Sequence, residues 1–526
     1  MNALRVHAVI LAILVIVSAL AVVLLTSPNS SAGNVVSSTS GVIPLTFSTR
    51  NSYSLAPGFW GTNVRAYSAL GPTQKAEWDA TPLSYVLWPG GRAGDAYDYL
   101  NNVIYSDNGA AFSPPTDVAQ FASWCKSVGC IAIMQLPGEI DSASYAAKEA
   151  NYIVNTLHFQ PAYWEIGNEP TQWKHFGDAW STWNLKQHTN ATPMGYADLV
   201  RSYIAAVKAV DPGAKFLGLP GVGTGAFDEQ TWITATVRVN GPDLAGIAIH
   251  VYPAGGYGVS HGSDGQFFTS LTSKGALPER VPLDEQAIRE ACPSCKIGIF
   301  ATELNSGNQG AGYNDQIDGF PEVTFLTAEV IQGMKLDLAN IDMYAFEASY
   351  GGALFTSSSS PTRVDTLYST IFSQLGSTVL PVSEPLPSLF YAIATEDSGT
   401  HTEEVLVANA KGSAVDLSLR STGLCGSCKA VLSSWTSSSA RPVLHPLSGG
   451  LPGVWAVPSD SVDLIHIDGL SGISHPPPNG NTTGTANGSV VPSDLRCPGT
   501  VGVTCSSTTL SHAISQAERL IMRGEA

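Results

Sequence analysis

Two short acidic segments stand out for the chemistry they could do together. WEIGNEP at 164–170 puts Glu169 just after an apolar run, and FATELNS at 300–306 puts Glu303 at the end of another. A pair of carboxyl groups, one protonated and one ionised, suits cleavage of an acetal. One protonates the leaving oxygen while the other attacks the anomeric carbon or activates water. The two groups must face each other across a few ångströms, so the intervening elements have to fold them together.

Those elements alternate. Eight apolar strand candidates occur at 58–64, 84–88, 130–136, 163–168, 215–220, 246–252, 296–303 and 340–346. Between them lie segments with apolar residues at three- and four-residue spacing, including VAQFASWCKSV, SYAAKEANYIVNTL, GYADLVRSYIAAVKAV and EVTFLTAEVIQGMKL. Strands alternating with helices imply a parallel sheet, and eight such units predict a (β/α)8 TIM barrel over 55–380. The alternative, an open doubly wound sheet, would normally carry a Gly-rich phosphate loop after its first strand, and none is present. In a barrel, functional groups sit at the C-terminal ends of the strands. Glu169 then follows the fourth strand and Glu303 ends the seventh, on facing sides of one mouth.

Four segments in this order resemble glycoside hydrolase clan A, a clan of retaining (β/α)8 enzymes. WEIGNEP is similar to its acid/base motif, ATELN at 301–305 to its nucleophile segment, IAIHVYP at 247–253 to its strand-six segment, and WPGGRAGDAYDY at 88–99 to its strand-two turn. The nearest branches are the heparanase and β-glucuronidase, β-xylosidase and α-L-arabinofuranosidase families. The resemblance implies Glu169 as general acid/base, Glu303 as nucleophile, Asn168 on the sugar 2-hydroxyl, and Tyr252 hydrogen-bonded to Glu303. His250 shares a strand face with Tyr252 and joins the site wall. Glu169 is expected protonated and Glu303 held ionised by hydrogen bonds. Trp60, Trp88, Trp173 and Phe346 are candidates to stack on sugar faces, and Arg92 and Asp95 to contact hydroxyl or carboxylate groups. Glu165 reads as a structural partner deep in the barrel. The chain also departs from the clan: Leu87 stands where relatives often carry Arg, leaving Arg92 or Arg65 to supply that charge, and Phe346 stands near a strand-eight position that is Trp in many of them. No cofactor is implied, and no metal, because the histidines show no paired ligand spacing.

Beyond the barrel, short strands with turn residues between them predict a small β-sandwich over 381–470, with a possible added strand from 43–50. A Pro/Gly/Asn-rich linker (471–492) and a tail of unassigned role (493–526) follow. At the N-terminus, Arg5 precedes an apolar run from Ala8 to Leu25. A spanning helix needs ~17–25 apolar residues, so residues 1–33 read as a membrane anchor, with a cleaved signal peptide as the alternative. Either predicts a body outside the cell, at its surface or secreted, with membrane contact only through an uncleaved anchor. All eight cysteines fall in local pairs, Cys125/Cys130, Cys292/Cys295, Cys425/Cys428 and Cys497/Cys505, which reads as four disulfides in an exported chain. Sequons at Asn29, Asn190, Asn481 and Asn487 are compatible with a glycoprotein. A net charge of −17 argues against a nucleic-acid partner.

The expected function is therefore extracellular retaining hydrolysis of an oligo- or polysaccharide. A transglycosidase of surface glycans would use the same residues. A non-catalytic carbohydrate-binding surface protein is the third reading, and the two intact glutamates argue against it. The scarcity of Lys and Arg makes a uronic acid substrate less attractive.

Overall fold

The computed structural model describes residues 42–468, apart from 49–50, 106–110, 140–141, 174–190, 222–228, 256–261, 308–313, 350–351, 384, 398, 401, 422–428 and 447–453. Eight parallel strands close into a barrel: β1 (Trp60–Asn63), β2 (Tyr85–Trp88), β3 (Ile131–Leu136), β4 (Tyr163–Ile166), β5 (Phe216–Gly218), β6 (Leu244–Val251), β7 (Gly298–Leu304) and β8 (Asn340–Met343). β8 pairs back to β1, Ile341 against Trp60. Each strand overlaps one of the eight apolar segments of the sequence.

The strands read as unbroken apolar runs because both their faces are covered. Inside, Tyr85, Leu87, Ile133, Leu217, Ala248 and Phe300 form a plug. Outside, Val86, Trp88, Met134, Trp164, Ile247 and Ile249 pack into the large core shared with the helices. Strand alternation carries the inward positions above the plug to Asn63, Gln135, Glu165, His250, Thr302 and Asp342. All six are buried, so the barrel turns polar toward its C-terminal mouth.

Helix boundaries follow local chemistry. The helix Val118–Val128 starts on Asp117, whose side chain accepts from the Gln120 N–H, and stops at Gly129, where φ is +71°. One disulfide joins Cys125, in the last turns of that helix, to Cys130 just past its end, and another joins Cys292 to Cys295 just beyond the helix Leu277–Ala291.

Two short sheets, Glu347–Ala348 with Phe355–Thr356 and Tyr97–Asp98 with Val103–Tyr105 and Ala111–Phe112, lie in loops of the barrel, and the other strands build two larger sheets. One runs Tyr53–Ser54, Thr378–Leu380, Phe390–Asp397, Thr402–Asn409, Ser461–Asp468, Lys429–Thr436, Val443–Pro446. The other sets Ile43–Phe47 parallel to Val415–Ser421, with Val454–Val457 antiparallel on its far side. Leu45, Phe47, Val405, Val407, Leu417, Leu419, Ile465 and Ile467 from both sheets share one apolar cluster. The opposite face of the larger sheet, including Ile393, Leu406 and Leu464, joins the barrel core, where Phe320 on the helix Phe320–Lys335 meets Trp435 edge-on. No helix among the described residues is long and apolar enough to cross a membrane. The Ala8–Leu25 run, the four sequons, Cys425/Cys428, Cys497/Cys505, the linker and the tail lie outside the described residues.

Burial leaves a mark on stability. It pushes Glu322 and Glu329, on the helix against the larger sheet, up to about 8. Glu165 rises to about 8 as well, chiefly by burial. These acids stay protonated in the folded chain at pH values where the unfolded chain has released its protons. Folding stability from them is thus complete below the ordinary glutamate range and is lost as pH rises through about 8. The urea midpoint should fall between pH 5 and pH 8, and Glu329→Gln should flatten that fall; a midpoint that climbs across this range would contradict the assignment.

Candidate active site

The first carboxylate is set by a tight turn. Beyond β4 the chain passes through Gly167 (φ +78°) and then Glu169, itself left-handed at φ +42°. That conformation costs a non-glycine residue roughly 1–3 kcal/mol unless its surroundings fix it. They do. The Glu169 N–H donates to the Pro220 carbonyl at 2.8 Å, and Gln172 Nε2 donates to Glu169 Oε2 at 2.5 Å. A Cβ on Gly167 would lie 2.4 Å from the Trp173 ring, which packs flush beneath the turn. The Trp173 indole N–H donates to the Asn168 carbonyl at 2.7 Å and to Asp95 Oδ2 at 2.9 Å.

The second carboxylate depends on a bulge. β6 and β7 run in register through Ile249 opposite Ala301, then resume with His250 opposite Glu303. β7 slips equally against β8, from Ala301 opposite Ile341 to Leu304 opposite Met343. Thr302 is the additional residue. Regular pairing would set Thr302 opposite His250; the slip brings Glu303 there instead and aims it at the mouth. The Thr302 carbonyl accepts from Asn63 Nδ2 at 2.8 Å.

The two carboxylates converge on one imidazole. His250 Nδ1 lies 3.3 Å from Glu169 Oε1 and 3.3 Å from Glu303 Oε2. Carboxylate oxygens of Glu169 and Glu303 are within 4.8 Å of each other. The Tyr252 hydroxyl donates to Glu303 Oε2 at 2.7 Å. Glu303 is 5% exposed, and a Cβ on Gly91 (φ +65°) would sit 3.8 Å from its Oε1 and 3.3 Å from the Tyr344 hydroxyl. Gly91 therefore suits a left-handed turn in which a Cβ would press on the Tyr344 hydroxyl beside the carboxylate.

Burial dominates the electrostatics. It raises Glu303 to about 7, with Glu169 adding to the rise, against the pull of His250, the Tyr252 hydrogen bond and Arg65. This corrects the expectation that hydrogen bonds alone keep Glu303 ionised: in a pocket this dry they offset only part of the cost of charge. For His250 burial works downward but is outweighed by Glu303, Glu169 and Glu165, which hold the imidazole at about 9. Glu169, His250 and Glu303 are close enough together to touch a single cation.

Arg65, just after β1, is the cation beside Glu303, and Leu87 belongs to the barrel plug. Arg92 instead faces the fully buried Glu139 at 3.3 Å. The aromatic candidates need correction. Trp60 opens β1, at the end of the barrel away from the mouth, and stacks on Phe372 at 4.9 Å. Trp88 is fully buried outside the barrel against Phe121, 4.8 Å away. Phe346 is fully buried near Trp78, Trp124 and Phe355. Trp173 (1% exposed) supports the Glu169 turn, and Asp95 (0%) is spent on Trp173 and the Gly138 N–H, so neither meets a sugar. Half-buried Tyr344, at the end of β8, was missed, as were Gln172 and Gly91, whereas Arg65 was one of the two arginines expected to supply the missing charge. Only the Gly90–Gly91 doublet after a strand carried a signal.

No family model matches the sequence, and no curated protein matches it. Solved structures do match in shape. A GH51 arabinofuranosidase from Xanthomonas axonopodis pv. citri aligns at a TM-score of 0.66 and 13% identity, over 81% of this chain and 100% of its own. A GH44 xyloglucanase from Paenibacillus polymyxa aligns at 0.62 and 14%, over 81% and 99%. An α-L-arabinofuranosidase from Thermotoga maritima aligns at 0.62 and 12%, over 80% and 99%. The likeness establishes the fold.

Trp173→Phe takes the donor from the Asn168 carbonyl and from buried Asp95, and the smaller ring leaves a cavity besides. The substitution should cost about 1–3 kcal/mol of stability in urea denaturation. A variant as stable as the parent would mean that the indole N–H does not hold the turn.

Proposed function

We propose that the chain is a retaining glycosidase acting on an oligo- or polysaccharide, with Glu303 as nucleophile and Glu169 as general acid/base. The observation that carries this reading is the separation of the carboxylates, whose oxygens approach within 4.8 Å. Retention goes with carboxyl groups about 5–5.5 Å apart, whereas inversion needs about 6.5–9.5 Å to admit a water. The intact pair favours catalysis over carbohydrate binding alone.

In the first step Glu303 attacks the anomeric carbon as the bond to the leaving oxygen breaks, and Glu169 gives that oxygen its proton. A glycosyl ester on Glu303 results. In the second step Glu169 takes a proton from water, which attacks the same carbon and frees Glu303. Protonated His250, 3.3 Å from each glutamate, would offset the one negative charge that the pair keeps in either step. The Asn168 amide, whose Oδ1 has no partner among the described residues, would meet the sugar 2-hydroxyl. The apolar N-terminal run and the two disulfides favour an exported body.

Purified protein should be screened between pH 4 and pH 8 on aryl α-L-arabinofuranosides, β-xylosides, β-glucosides and β-glucuronides, and on xyloglucan and β-glucans. Glu169→Gln should lower kcat by roughly 10²–10⁴-fold on substrates with poor leaving groups. Glu303→Gln should remove turnover, and a variant retaining full activity would end the proposal. Proton NMR of the first-formed sugar should show retained configuration; an inverted product would reassign Glu303 as a base.

Because Glu303 must be ionised to attack, kcat/KM should rise with pH through about 7 on its acidic side. Tyr252 favours the ionised form, so Tyr252→Phe should move that limb to higher pH. An unmoved or lowered limb would dissociate Tyr252 from the titration.

A further inference from the structure

We propose that Arg280 is a positioning residue for this site, gripping the backbone of His250 from outside the barrel through a buried clamp with Glu229 and Asp284. The inference rests on the glycosidase reading above only where activity is measured. Arg280 lies in the first turn of the helix Leu277–Ala291, between β6 and β7, and Glu229 begins the helix Glu229–Asn240, after β5. Arg280 Nε donates to Glu229 Oε2 at 2.6 Å, and Nη2 bonds Glu229 Oε1, forming a two-pronged pair. Its Nη1 donates to the His250 carbonyl. Asp284 Oδ2 lies 3.6 Å from Nε, and Gln230 holds the other Asp284 oxygen at 2.9 Å.

Helix stability does not ask for this arrangement. A cation in the first turn opposes the helix dipole. Arg280 is 7% exposed, Glu229 6% and Asp284 0%, so all three are desolvated. Replacing such buried ion clusters by apolar groups is often neutral or stabilising. What the cluster provides is a rigid planar fork, which an amine on a flexible stem does not reproduce. The fork holds the His250 carbonyl where β6 and β7 slip out of register, as Asn63 holds the Thr302 carbonyl across the slip. His250 and Tyr252, on that same strand end, are the groups that reach Glu169 and Glu303.

The full chain should be compared with Arg280→Lys, which keeps the charge and loses the fork, and with Glu229→Gln, which keeps the shape and weakens the grip. Two readouts separate positioning from a merely structural role. One is the titration of the His250 ring, followed by NMR of histidine-labelled protein, with exposed His158 as an internal control. His250 is faced by Glu169, Glu303 and Glu165, and Arg280 by Glu229, Asp284 and Glu169, so any displacement of the strand end alters those pairings. In at least one folded variant the His250 titration should move while that of His158 stays. The other is kinetic: kcat should fall roughly 10–100-fold, as small misplacements near reacting groups do, with KM nearly unchanged and the pH–rate profile displaced. Folded variants with the parental His250 titration and pH–rate profile would overturn the proposal, even if thermal stability dropped. Should the parent prove inactive on every glycoside, the glycosidase reading fails and the NMR comparison still decides the role of Arg280.

Discussion

One additional residue in β7 governs the site. Without the slip at Thr302, strand alternation would turn Glu303 away from the mouth and leave a hydroxyl opposite His250. With it, Glu303, His250 and Tyr252 face one another, and the backbone near the slip is tied down by groups from other elements, Asn63 from β1 and Arg280 from the helix layer. Glu169 is aimed by a comparable device, a left-handed residue held by its own N–H and a tryptophan packed below. Both carboxylates thus leave regular strand geometry at the point where they would be used.

The polar floor beneath them sets the electrostatics. Glu165 and Asp342 are fully buried, and burial pushes both acids up, Glu165 to about 8. Burial thus works against a negative charge on either acid. His250 is the cation at the centre, held charged by the very glutamates it separates. A site of this kind keeps its charge in one imidazole and one or two carboxylates, so proton position becomes the controlling variable.

The barrel was legible because each of its strands is buried on both faces, giving eight apolar runs separated by helical periodicity. Glu169 and Glu303 were legible because a barrel presents its strand ends, so counting strands located them. The slip at Thr302 was not: FATELNS reads as an ordinary strand, and a bulge is decided by the neighbours on both sides. The aromatic candidates failed for a related reason. Adjacency to a strand end does not say which face a ring takes: Trp88 and Phe346 turned into apolar packing, and Trp173 into the support beneath the Glu169 turn. The short strand Tyr53–Ser54 escaped the reading because its pairing partner, Thr378–Leu380, is distant in sequence.

The most direct test of the central claim is to trap the covalent intermediate. A 2-deoxy-2-fluoro glycoside of whichever sugar the enzyme turns over should inactivate it, and peptide mass spectrometry should place one sugar on Glu303. A label on Glu169 or any other residue would contradict the account, and so would steady turnover of the reagent with no labelled peptide.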